Sequence, residues 1–117
     1  RVVMIGGTGF LGYFTCRDLV ARGHDVLALG LGTPAPGTMP GGVRFETCDV
    51  ETCPDEILRG FLPGPTLSSM PPELTGASDK SPAIRGFRRH NVEPIRRLIP
   101  AMKTAGVSKL VIFGSYY

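Results

Sequence analysis

Apolar and polar positions in this chain fall into short unbroken apolar runs separated by stretches of helical spacing and clusters of Gly and Pro. Val2-Val3-Met4-Ile5 is such a run and predicts a buried strand over residues 2 to 6. Residues 10 to 22 predict a helix that turns Leu11, Phe14, Leu19 and Val20 toward the sheet, with Gly23 ending it in a left-handed cap. Asp25-Val26-Leu27-Ala28-Leu29 reads as a second strand that closes a βαβ unit, and its nearly continuous apolar character suits a parallel strand covered on both faces. Residues 33 to 42 are a loop by composition, and Val43 to Thr47 form a third strand. Pro54-Asp55-Glu56-Ile57-Leu58-Arg59 has Pro at the first helical position, acids in the first turn and Gly60 after the last residue, which marks a short helix.

A fourth apolar strand should follow, and the pattern breaks there. Residues 61 to 86 carry Pro63, Pro65, Pro71, Pro72 and Pro82 with Gly64, Gly76 and Gly86, and no run of β-branched residues. The fourth strand would lie beside the first, where a Pro-rich segment cannot complete a hydrogen-bond ladder. Three explanations stand: a short strand near Thr66 to Met70, a real loss of the strand, or dropped residues with the numbering closed up, the last being favoured. From Phe87 the helical pattern returns, with Val92, Ile95, Leu98, Ile99 and Met102 in register and Gly106 as the stop. Pro94 and Pro100 predict a kink or a start nearer 94 than 87. Lys109-Leu110-Val111-Ile112-Phe113 then predicts a final buried strand leading into Gly114-Ser115-Tyr116-Tyr117.

The chemistry centres on Ile5-Gly6-Gly7-Thr8-Gly9-Phe10-Leu11-Gly12, a G-x-x-G-x-x-G spacing set between a strand and a helix. The first glycine permits a tight turn, the second lets backbone N–H groups approach phosphates, and the third lets helix and strand pack closely. The uncapped helix start adds N–H donors and a positive dipole end, so a diphosphate belongs there. At the end of the second strand an acid would select a ribose 2′-OH and an Arg a 2′-phosphate. Here stand Gly30, Leu31 and Gly32, which leaves the choice between NAD and NADP open. Cys48-Asp49-Val50 ends the third strand at the same crevice, where Asp49 either accepts the adenine amino group or caps the next helix.

The 117 residues suffice for one modest domain, and 42% hydrophobic with 20% charged residues permit a packed core. The net charge of +3 is mild. The basic cluster Arg85, Arg88, Arg89, Arg96 and Arg97 lacks interleaved aromatics, which favours a solvated helix face over a nucleic-acid surface. Cys16, Cys48 and Cys53 have neither zinc nor disulfide spacing, so a reducing cytoplasm is expected, with Cys16 packed as a small apolar residue. His24 and His90 have no partner at metal spacing and read as a surface turn residue and a helix residue, so no metal site is expected. No signal peptide or long apolar span is present, so membrane insertion is not expected. Opening at Arg1 directly on a strand and stopping at Tyr117, the chain is expected to be a fragment.

With these pieces in order, the chain resembles the short-chain dehydrogenase/reductase superfamily, in its extended or atypical branch of NAD(P)-dependent epimerases and dehydratases. The resemblance rests on Gly6 to Gly12, on Cys48-Asp49-Val50, and on Asn91-Val92 with Gly106-Val107 running into the Ser115 strand. It implies a three-layer Rossmann-type doubly wound parallel α/β sheet, here incomplete, forming a single NAD(P)-binding domain fragment over residues 1–117 with an irregular insert or gap over residues 61–86. It implies that Gly6, Gly9, Phe10, Leu11 and Gly12 contact the cofactor diphosphate, that Thr8 and Leu31 lie at the cofactor, and that Asp49 and Val50 contact adenine. Asn91 takes a structural or proton-relay place, with helix capping as the alternative. Ser115 lies at or one residue before the catalytic Ser/Thr position, Tyr116 being the other register. The departures are Ile5 where Thr is common, the undecided Leu31, the missing fourth strand and the absence of Tyr-x-x-x-Lys. The implied activity is hydride transfer, with NAD or NADP, to a sugar-nucleotide-like or small carbonyl or alcohol substrate, and a homodimer is compatible with the full-length protein. The alternative is a non-catalytic NAD(P)-binding sensor or scaffold.

Overall fold

A computed structural model of the chain describes residues 1–62, 67–70, 85–86 and 88–113. Its strands are β1 (Val2–Ile5), β2 (Val26–Gly30), β3 (Val43–Thr47), β4 (Leu67–Met70) and β5 (Lys109–Ile112). The helices are α1 (Phe10–Ala21), α2 (Asp55–Phe61) and α3 (Glu93–Ala105), the last preceded by a π-helical turn at Arg88–Val92. The sheet has the order β3-β2-β1-β4-β5, and every pairing is parallel. All five strands therefore end at one edge, and the order reverses between β1 and β4. In open α/β sheets that reversal is where ligands bind, beyond the carboxyl ends of the strands.

Alternation along β1 and β2 divides the core into two layers. Val3, Ile5, Leu27 and Leu29 pack with Leu58 and Leu62 from the α2 region and with Leu98, Ala101 and Met102 of α3. Met4, Val26 and Ala28 point the other way and pack with Cys16 of α1. A strand sandwiched like this has no polar face, which is why both runs are continuously apolar. The result is the expected three-layer, doubly wound parallel arrangement.

β4 answers to the first of the three explanations, a short strand near Thr66 to Met70, rather than to a loss of the strand. Leu67–Met70 pairs in parallel with β1, Val2 opposite Leu67, and with β5, Leu67 opposite Lys109. Neighbours on both sides supply the ladder, so a segment of weak strand propensity is extended by its context. Of the irregular stretch expected over residues 61–86, Phe61 belongs to α2, and residues 63–66 and 71–84 lie outside the described residues.

α1 corrects a second expectation. Leu11 and Phe14 are 52% and 40% exposed rather than packed on the sheet. The inward stripe is Gly12 and Cys16, one turn apart, with Leu19 and Val20 partly buried beyond them as expected. Apolar residues surround this helix on several sides, so spacing does not choose the face. Contact between Gly12 and the preceding turn chooses it.

β2 begins at Val26 rather than Asp25. The Asp25 carboxylate instead meets Arg44 at 2.7 Å on β3, at the amino edge of the sheet, and Arg44 holds the carboxyl below its ordinary range. β5 is an edge strand among the described residues, with Ile112 49% exposed, so the expectation of a buried final strand does not hold. α3 starts at Glu93 as Pro94 requires, and Gly106 ends it with a left-handed φ of 71°.

Candidate functional site

The glycine turn is held to β2 by its own amides. Gly6 and Gly7 N–H both donate to the Leu29 carbonyl, at 2.8 and 3.2 Å, and Gly9 N–H donates to the Gly6 carbonyl at 3.0 Å. Gly6 takes a φ of 75°, which L side chains rarely adopt, so the chain reverses there only with glycine. A Cβ at Gly12 would lie 2.1 Å from Gly6 O and 2.7 Å from Gly7 Cα, so the first turn of α1 rests directly on the preceding loop. Gly7 is equally constrained, since a Cβ there would meet Ala28 Cβ at 2.5 Å. The motif spacing assigned Gly7 no role; its adjacency to Gly6 was the available signal.

Gly9 is the N-cap of α1 and has no side chain with which to close the helix end. Its carbonyl accepts from Tyr13 N–H at 2.8 Å, the first helical bond. The N–H groups of Phe10, Leu11 and Gly12 precede that bond and have no acceptor within the helix. Thr8, Phe10 and Leu11 are exposed around them. Three free donors at the positive end of a helix dipole bind an anion.

The end of β2 adjoins this turn. A Cβ at Gly30 would come 2.8 Å from Thr8 Oγ1, so Thr8 lies over Gly30, and Leu31 just beyond is 70% exposed. Cys48 N–H donates to Gly30 O at 2.9 Å and ties the end of β3 to the same edge. The structure thus gathers Gly6, Thr8, Leu31 and Asp49 along one edge of the sheet.

Asp49 does not cap α2, whose N-cap is Pro54 with no side-chain bond. Its carboxylate instead organises the loop that follows: Oδ1 accepts from Glu51 N–H at 2.9 Å and Oδ2 from the Thr52 hydroxyl at 2.8 Å. Val50 turns its side chain into the core, leaving its backbone toward the loop. Arg97 of α3 reaches the far side of this loop. Its guanidinium donates to the carbonyls of Val50, Glu51 and Cys53 and to Asp55 Oδ1, the first at 3.0 Å and the last at 2.7 Å. That contact lowers the Asp55 pKa and raises that of Arg97. His90 Nδ1 lies 2.6 Å from Glu51 Oε1, so the π-helical turn grips the same loop.

The Arg97 clamp was hidden in the sequence, because three of its acceptors are main-chain carbonyls 44 to 47 residues upstream. It corrects the reading of the whole basic cluster as a solvated face, while His90 is the helix residue expected, with the Glu51 carboxylate as its neighbour. Asn91 sits, half-buried, in the π-helical turn. Ser115, with Tyr116, lies outside the described residues. Among the described residues no helix is long and apolar enough to cross a membrane.

A doubly wound parallel sheet whose first strand turns through glycines onto an uncapped helix defines the class, an α/β protein of the nucleotide-binding type. More particularly, the chain belongs to the NAD dependent epimerase/dehydratase family, whose profile matches residues 2–117. It is 25% identical over 130 aligned positions to a UDP-glucose 4-epimerase of Klebsiella pneumoniae, covering 98% of this chain and 88% of that protein. Among solved structures it resembles MoeE5 in complex with UDP-glucuronic acid and NAD, with a TM-score of 0.76 and 25% identity over 96% of this chain. It also resembles the UDP-glucose 4-epimerase of Thermus thermophilus in complex with NAD, with a TM-score of 0.69 and 30% identity over 94% of this chain. The chain spans 36% of the length of each of these two structures.

Proposed function

We propose that this chain is the cofactor-binding portion of an NAD(P)-dependent epimerase or dehydratase that acts on a nucleotide sugar. The observation that carries the reading is the open α1 N-terminus, with the Phe10, Leu11 and Gly12 amides unclaimed and glycine required at positions 6 and 12. These residues fit a dinucleotide, because a diphosphate needs several convergent donors and no side chain in its way. The family match and the nucleotide-sugar ligands and substrates of its relatives support the substrate class.

In this reading the amides of residues 10 to 12 hold the diphosphate. Asp49 and the Val50 backbone meet the adenine, and the clamp from Arg97 keeps their loop in place. The bound nicotinamide supplies reversible hydride acceptance. Ser115 follows β5, which runs parallel to β1, and is assigned to hold the substrate hydroxyl during proton transfer. Asn91, in the π-helical turn before α3, is assigned to the proton path or to its support.

The test is calorimetric titration of the full-length protein with NAD⁺ and NADP⁺ separately, beside a Gly9→Asp variant. The variant sets a carboxylate against the phosphate cradle and should weaken binding by about tenfold or more, about 1.4 kcal/mol. Unchanged affinity in a folded variant would remove the assigned site.

A further inference from the structure

Cys48 and Cys53 have no motif spacing, yet their Sγ atoms lie 3.3 Å apart, with the Cys48 thiol donating to Cys53. Both are free thiols, Cys48 buried and Cys53 partly exposed. The fold builds this approach from both ends. Cys48 is anchored by its N–H to Gly30 O at 2.9 Å, and Cys53 by its N–H to Asp49 O at 2.8 Å. The Arg97 guanidinium holds the Cys53 carbonyl. The remaining cysteine, Cys16, is buried on the opposite face of the sheet against Met4, Val26 and Ala28.

We infer that Cys48 and Cys53 form a dithiol site that small-molecule disulfides oxidise to an intrachain disulfide, across the loop bearing Asp49 and Val50. The two sulfurs are already in contact at 3.3 Å and must close to roughly 2 Å to bond. Burial foremost, and then the hydrogen bond with Cys53, push the Cys48 thiol up to about 12, so Cys48 is protonated at neutral pH and does not attack first. Cys53, the more exposed, attacks as thiolate on one sulfur of RSSR, forming Cys53–S–S–R and releasing RS⁻. Cys48 then gives up its proton and attacks Cys53 Sγ, expelling the second RS⁻. Two thiols of the protein are oxidised by two electrons, RSSR is reduced to two RSH, and the two thiol protons end on the released thiolates.

The experiment incubates the full-length protein with oxidised glutathione, quenches it with iodoacetamide and maps the peptides by mass spectrometry. In the wild type the segment holding Cys48 and Cys53 should be lighter by two hydrogens, free of both glutathione and carboxamidomethyl groups, and restored by dithiothreitol. Cys48→Ser should accumulate a stable glutathione adduct on Cys53, because the second attack is lost. Should that variant not fold, the wild-type map decides by itself. A persistent Cys53 adduct in the wild type, or carboxamidomethylation of both cysteines, would overturn the site.

Discussion

A methyl group added at Gly12 would lie 2.1 Å from the Gly6 carbonyl oxygen, whereas one added at Gly9 would lie 3.3 Å from the same atom. The first contact is far inside van der Waals distance with backbone, so α1 must lift from the turn. Gly12→Ala should therefore destabilise by about 1–3 kcal/mol or more in urea unfolding, while Gly9→Ala costs less. Equal, small effects at both positions would mean that α1 repositions freely. The sequence carried this distinction, because glycine spacing between a strand and a helix is a local constraint on the chain. Side-chain encounters are different in kind. The Cys48 and Cys53 thiols meet because their loop folds back on itself, and no periodicity encodes that.

At the scale of elements, the loop from Cys48 to Cys53 depends on α3 as much as on its own Asx turn. Arg97 draws the Asp55 carboxyl below the ordinary aspartate value of 3.8 by hydrogen bonding, then by its charge. Because the folded pKa is the lower one, the contribution is fully present above the unfolded value and is lost as pH falls through the folded value. The pair is exposed, so its contribution is small and salt-sensitive. Thermal melts from about pH 7 to about pH 2 should show wild type above Asp55→Asn at neutral pH, with the gap closing below about pH 4. A gap constant across that range would mean that Asp55 acts through something other than its charge. The extents of α3 and β3 could be read from Pro and apolar spacing, whereas α2 runs through Gly60, its expected stop, to Phe61. The face that α1 presents could not, since its apolar residues form no single stripe.

For the molecule as a whole, one parallel sheet with helices on both faces puts the ends of β1, β2 and β3 at a common edge beside the β1/β4 reversal. The layer under α2 and α3 closes on Leu98, which is fully buried, while its neighbour Ile99 is 42% exposed. Leu98→Ala should cost about 2–5 kcal/mol in urea unfolding, and Ile99→Ala about 0.5 kcal/mol or less. Similar costs at the two positions would contradict this packing. The apolar runs already implied two covered faces and a doubly wound class. They did not reveal β4, because its extended form comes from the main-chain partners that β1 and β5 offer.

The sequence by itself determined what depends on near neighbours: the strand-turn-helix unit at the start, the glycines at positions 6, 9 and 12, the stops at Gly23 and Gly106, and the parallel class. Near neighbours suffice there because backbone sterics and hydrophobic period act within a turn or a strand. Only the tertiary structure decided the pairing of Leu67–Met70, the inward face of α1, the Arg97 clamp and the approach of Cys48 to Cys53. Each of these is a contact between a residue and a surface, or a main-chain atom, that exists only after the rest of the chain has packed.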